Sequence, residues 1–304
     1  MQANQGGASS TRLLHCLHFG GTGHQGPDAC LASALVRRPG LGSGQRGRDR
    51  PRRTKRSKDP PAPKPGSLAR SAWTVSAASS SSCDVAAIPC PPVSRCGVDN
   101  STRLAVQYPG RENRFREALI PAMDSLASAV ADELLALPPL PTVFFGHSMG
   151  AAVAYETLLR LQQAGGAAHI TRLCVSGRSL DGAAGPAGRT DEEVVEAVRS
   201  LGGTQAAVFD DPDLRELLLP VIRNDYHLID AYRRRTDVPL LRADVHALTG
   251  DRDPQVTPDE AARWSAVTSG AFTLTVLEGD HFYLVPAVER VARIAMEPAQ
   301  PLPV

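Results

Sequence analysis

Gly146-His147-Ser148-Met149-Gly150 joins the β-prone run Thr142–Phe145 to a helix-forming stretch, Ala151–Gln163. This junction constrains the chain more than any other feature. A Gly-x-Ser-x-Gly pentapeptide between a strand and a helix makes a sharp turn with strained dihedrals at the serine. The residues two before and two after it must be small, so that the two backbones can pass. The turn pushes the hydroxyl out at the start of a helix, whose free N–H groups favour a developing negative charge. Ser148 is therefore a candidate nucleophile, and the N–H of Met149 a candidate oxyanion donor.

The elements around the junction alternate. Leu104-Ala105-Val106 is a short strand candidate that ends at the turn Pro109-Gly110. Pro121 is placed to open a helix in which Met123, Leu126, Ala127, Val130 and Leu134 recur at three- and four-residue spacing, stopping at Pro138-Pro139. Strands are expected at Ile170–Val175, Val245–Leu248 and Phe272–Leu277. Helices are expected from Asp191, from Pro258 and from about Pro286. Strands alternating with helices predict a mostly parallel sheet flanked by helices and joined by right-handed crossovers. A helix-rich stretch at about 184–235 interrupts the alternation and reads as an inserted lid. Together with the serine turn, this is the pattern of an α/β-hydrolase fold over residues 101–304.

Residues 1–100 differ in kind. They carry 14 Lys/Arg against 5 Asp/Glu, whereas the remainder carries 19 against 27. Arg46–Lys58 holds eight basic residues, and a Pro-rich stretch and four serines, Ser79–Ser82, follow. Such text buries too little apolar surface to offset its ordering entropy, so the N-terminal region is expected to be largely disordered. No aromatic residue interleaves the basic run, which argues against single-stranded nucleic acid as a partner. Five of the six cysteines fall here without a C-x-x-C pair, and Cys174 sits in an apolar run; no metal site and no cofactor are expected. With no apolar stretch of about eighteen residues and no secretory leader, the expectation is a cytoplasmic protein without a membrane partner, acting as a monomer.

A serine hydroxyl needs a base, and the base an orienting acid. Behind a turn of this type the chain order is serine, acid, histidine. His281 follows the strand Phe272–Leu277 and the turn Glu278-Gly279-Asp280, on a loop at the carboxyl edge where open parallel sheets bind ligands. His147 is read as pointing along the elbow, His169 and His246 as strand-flanking, and His227 as a lid residue. For the acid, Thr249-Gly250-Asp251-Arg252-Asp253-Pro254 offers two aspartates after the strand Val245–Leu248. Asp253 is preferred because the residue before a proline is held extended and aimed across the sheet. Asp251 is the reserve, with a turn-shaping role as its alternative. Asp280 faces away from its neighbour His281 in an extended chain.

Four stretches carry a closer resemblance: Val106–Glu112 (VQYPGRE), Gly146–Glu156 (GHSMGAAVAYE), Glu216–Tyr232 (ELLLPVIRNDYHLIDAY), and the pair Thr249–Val256 (TGDRDPQV) with Gly279–Leu284 (GDHFYL). Over about residues 104–296 the chain resembles the type II, or editing, thioesterases of polyketide and nonribosomal peptide synthases. The resemblance implies hydrolysis of acyl groups from the phosphopantetheine arm of an acyl or peptidyl carrier protein. It also implies that the acid is the aspartate of the Asp-Pro step, here Asp253. These enzymes begin with a strand and a Phe-Pro-x-Ala-Gly-Gly type loop that gives the second oxyanion donor. The nearest counterpart is Leu17-His18-Phe19-Gly20-Gly21, separated from Gln107 by far more chain than the family uses.

Three other readings stand beside this one. A general carboxylesterase or lipase would use the same triad on small oxygen esters. A homologue lacking the N-terminal oxyanion loop would be catalytically impaired, because one missing donor costs roughly 10²–10³ in rate. A nucleic-acid binder working through Arg46–Lys58 ranks last.

Overall fold

The structure is a computed structural model that describes residues 12–16, 76–77, 102–111, 114–182, 188–201 and 209–297. The Arg46–Lys58 run, the segment Leu17–Gly21 and most of the region expected to be disordered lie outside these residues.

Five strands form one parallel sheet in the order β1-β4-β5-β6-β7, with β1 Arg12–Cys16, β4 Thr142–His147, β5 Ile170–Ser176, β6 Asp244–Gly250 and β7 Phe272–Leu277. Two short strands, β2 Ser76–Ala77 and β3 Thr102–Ala105, pair antiparallel beside it. The helices are α1 Met123–Leu135, α2 Met149–Gln163, α3 Asp191–Ser200, α4 Pro212–Ala231, α5 Pro258–Ala262 and α6 Val288–Met296, with a 3₁₀ turn at Arg263–Val267. Among the described residues, no helix is long and apolar enough to cross a membrane.

Period-2 alternation along the strands sorts the core into two layers. Phe144, Leu173, Val175, Val245 and Ala247 face one side and pack with α1, α2 and Trp264. Val143, Phe145, Cys174 and Leu248 face the other, against Tyr283, Leu284 and α6. The helix starts follow capping chemistry. Thr190 with Glu193 and Thr257 with Glu260 form capping boxes, and Asp211 caps α4 ahead of Pro212. Pro121 stands one residue earlier than expected: Ala122, in extended conformation, is the cap of α1, so the proline directs the incoming chain rather than opening the helix.

The sheet takes one strand from upstream of Ser101, where the sequence shows no regular pattern. β1 pairs with β4 in a register that sets Cys16 opposite Gly146. Five residues, Arg-Leu-Leu-His-Cys, are too few to display a period.

The helical insertion between β5 and β6 has a core of its own, built from Val194, Val195, Phe209, Leu218, Leu219 and Ile222. It is fastened to the main body by Leu228 and Tyr232, which enter the main core, and by buried charge. Arg111, in the loop after β3, pairs with Asp225 of α4, and both side chains are more than nine-tenths buried. Asn224 adds a bond to the Ile120 carbonyl at 3.0 Å. Removing one member of a buried pair strands the other charge, at a cost of about 3–5 kcal/mol. Asp225→Ala is therefore expected to lower stability by that order, read from urea unfolding.

His246, inside β6, is buried and bonds Thr275 Oγ1 at 2.9 Å. Burial, and then the Arg172 charge, bring its pKa down from 6.5 to about 4. Above pH 6.5 it is neutral in both folded and unfolded chains. Below that, only the unfolded chain takes up the proton, so stability falls as pH drops from 6.5 toward 4. His246→Gln should flatten this part of the stability profile in urea titrations at pH 7, 5.5 and 4.5.

Candidate active site

Four strand ends meet at the carboxyl edge of the sheet, and each is followed within a few residues by a side chain with chemistry. Ser148 follows β4 directly. It is the one non-glycine residue with positive φ among the described residues, at φ 53° and ψ −121°. Side chains rarely adopt this region, so the backbone is strained there, and the surrounding packing must enforce it. Gly146 explains how: a Cβ at this position would fall on the Gly150 carbonyl oxygen, far inside van der Waals contact. The serine itself is partly exposed, while Met149 behind it is buried. Met149 is the first residue of α2, where backbone N–H groups have no helical acceptor.

His281 lies four residues beyond β7, and Asp253 three beyond β6. His281 Nδ1 bonds the Asp253 carboxylate at 3.0 and 3.1 Å, and both side chains are almost fully buried. Asp253 Oδ1 also accepts the Gln255 N–H at 2.8 Å, which restrains the carboxylate. A carboxylate on Nδ1 makes that nitrogen the donor and leaves Nε2 as the basic atom. Asp251 meets a different partner. Its Oδ1 accepts the Gly279 N–H at 2.8 Å, stapling the two loops together. Asp280 accepts from the Phe282 N–H at 2.8 Å and caps its own turn.

His147 departs from expectation. It continues the Val143–Phe145 face of β4 rather than following the elbow outward, and its ring is fully buried. The ring centroid stands 4.7 Å from that of His281, tilted by 47°. Gly177, the residue after β5, makes room for both rings. A Cβ there would lie 2.6 Å from His147 Cε1 and 3.2 Å from His281 Cε1, and its φ of +58° also favours glycine. Period-2 alternation from Phe145 would have found the buried face of His147; nothing local reveals Gly177. His227 is exposed on α4, and His169 is half-buried before β5. The structure thus pairs His281 with Asp253 and sets Ser148 beside the imidazole that flanks them. No Ser148–His281 hydrogen bond is formed among the described residues, as is common before substrate closes a site.

Arg178 stands next to Gly177. Its guanidinium lies over the Tyr232 ring at 5.9 Å, and burial pulls its pKa down to about 10.

A strand-to-helix serine, a buried histidine–aspartate pair and a helical insertion are joined by one further observation. The family model described as Thioesterase domain matches residues 98–297. The chain belongs to the thioesterase domain family. The chain is 39% identical over 203 residues to the probable cadicidin biosynthesis thioesterase of Streptomyces griseus, covering 66% of this chain and 55% of that protein. It is 38% identical over 188 residues to thioesterase PikA5 of Streptomyces venezuelae, covering 60% and 65%. Among solved structures it is similar to the type II thioesterase BorB from the borrelidin biosynthetic cluster. That likeness has 41% identity and a TM-score of 0.55, over 64% of this chain and 81% of that one. The matched segment spans less than two thirds of each of the two curated relatives.

The Gly146–Gly150 contact gives a direct test. Gly146→Ala should abolish labelling of the serine by a fluorophosphonate while far-ultraviolet circular dichroism stays close to wild type. Normal labelling of that variant would contradict the steric account of the turn.

Proposed function

We propose that this chain is a serine thioesterase that releases acyl groups from the phosphopantetheine arm of an acyl or peptidyl carrier protein in secondary-metabolite biosynthesis. Ser148 is the nucleophile, His281 the base and Asp253 the orienting acid. The observation that carries the reading is the His281–Asp253 pair at the same sheet edge as the strained Ser148. The relatives support the class of substrate: they include thioesterases whose names tie them to cadicidin and borrelidin biosynthesis.

These roles imply the following chemistry. His281 Nε2 accepts the Ser148 proton as Oγ attacks the thioester carbonyl. The carbonyl π electrons move to oxygen, where the Met149 N–H receives the oxyanion. Collapse expels the pantetheine thiolate, which takes the proton from the His281 imidazolium, and an acyl-serine remains. Water then repeats the sequence: it gives its proton to His281, attacks the acyl-serine and releases the carboxylic acid with Ser148 restored. Asp253 holds Nδ1–H and stabilises the imidazolium in both halves. No organic cofactor or metal enters these steps.

The family resemblance calls for a second oxyanion donor from a loop after the first strand. Because Cys16 stands opposite Gly146, the chain leaves the sheet level with the turn that carries Ser148. Leu17–Gly21, next in the chain, lies outside the described residues.

The deciding measurement is release of acyl groups from an acyl-phosphopantetheinyl carrier protein by wild type and Ser148→Ala. Turnover in wild type and a fall of at least about 10⁴-fold in the variant are expected. Rapid hydrolysis of small oxygen esters with no preference for the carrier would favour a carboxylesterase instead. A folded wild type inactive on both would indicate an impaired homologue.

A further inference from the structure

The His147 ring belongs to a buried polar chain that the triad does not use. His147 Nδ1 is 2.9 Å from Ser176 Oγ, and Ser176 Oγ is 2.6 Å from the Tyr283 hydroxyl. Exposure is 0% at His147, 0% at Ser176 and 1% at Tyr283. Three polar side chains in so dry a place cost stability unless each is hydrogen-bonded, and an apolar filling would be simpler. Their positions matter more than their number. His147 immediately precedes Ser148, and Tyr283 follows His281 by two residues. Ser176 ends β5, between the two, and its carbonyl accepts the Ser148 N–H at 2.8 Å.

We propose that His147, Ser176 and Tyr283 form a positioning strap that fixes the loop bearing His281 against the strand bearing Ser148. The proposal rests on the roles assigned above to Ser148 and His281. One end of the strap is the His147 ring, a wall for the His281 imidazole at 4.7 Å. The other end is Tyr283, held from below by Ser176 and on its own loop by the bond from its N–H to the Asp280 carbonyl at 3.2 Å. Asp253 sets the His281 ring along its Nδ1 edge. The strap sets it from the face, so that Nε2 is carried toward Ser148 instead of swinging on its loop. Burial raises the Tyr283 pKa and keeps the phenol protonated, so that a hydroxyl is always present for Ser176.

The test uses Tyr283→Phe, which removes one oxygen atom and leaves the ring, together with Ser176→Ala and the double variant. Two readouts are taken on the full chain. One is the rate of fluorophosphonate labelling of Ser148, with kcat and KM for a small acyl-pantetheine thioester. The other is the His281 ring resonance in protein labelled with ¹⁵N-histidine, which needs no turnover. Each single change is expected to lower the labelling rate and kcat by roughly 10-fold to 10²-fold with KM unchanged, because small misplacements of a base cost that much. The double variant should lose no more than the worse single, as parts of one unit do. The His281 resonance should shift in all three. Wild-type labelling with an unmoved resonance would overturn the strap, and so would losses that multiply. A lowered melting temperature with normal labelling per folded molecule would reduce the three residues to packing and overturn it equally. If wild type itself does not label while the resonance shifts in the variants, the strap stands and the role of Ser148 falls.

Discussion

The geometry of this site depends on one close approach, that of the Gly146 Cα to the Gly150 carbonyl. Only glycine at 146 lets β4 and α2 cross so tightly, and only that crossing holds Ser148 in a conformation its own side chain disfavours. The strain persists because the surroundings over-determine it. β4 is paired on both sides, and α2 is buried along nearly its whole length. The helix is accordingly less a carrier of function than a wedge that keeps the turn from relaxing.

Around this fixed point the other parts are held by short, local staples between neighbouring strand ends. Asp251 ties its loop to Gly279, Gly177 bonds the Leu248 carbonyl at 3.0 Å, and the Trp264 indole N–H reaches the Arg178 carbonyl at 2.7 Å. Asp181 accepts from Arg234, which brings the two ends of the helical insertion together, and from Arg263 in the 3₁₀ turn between β6 and β7. The insertion has a small core of its own and is held to the main body both by the Arg111–Asp225 pair and by Leu228 and Tyr232, which pack into the main core.

Most of the fold is legible in the sequence because its signals are local. Phe272–Leu277 shows itself as a β-prone run, and α1 announces its buried face through Met123, Leu126, Val130 and Leu134. The serine turn is legible for a steric reason, and Asp253 stands apart from Asp251 through the proline that follows it. What escapes is long-range. Arg111 and Asp225 lie far apart in sequence, and nothing near either names the other. The His147–Ser176–Tyr283 chain draws on three strand ends, so its members look ordinary until the sheet is assembled. β1 is hidden differently: five residues carry no period, and the neighbouring composition points elsewhere.

That first strand has a further consequence. Arg12 partners Thr142, so the pairing closes a very long loop. Loop-closure entropy opposes it, and contacts of such high sequence separation form late in folding. Until β1 docks, β4 presents a bare row of backbone donors and acceptors along the strand that carries Ser148. An open edge of this kind invites strands from other molecules. In the finished protein β1 is thus a guard for β4. The chain is most vulnerable to self-association in the interval before its beginning has come back to meet its middle.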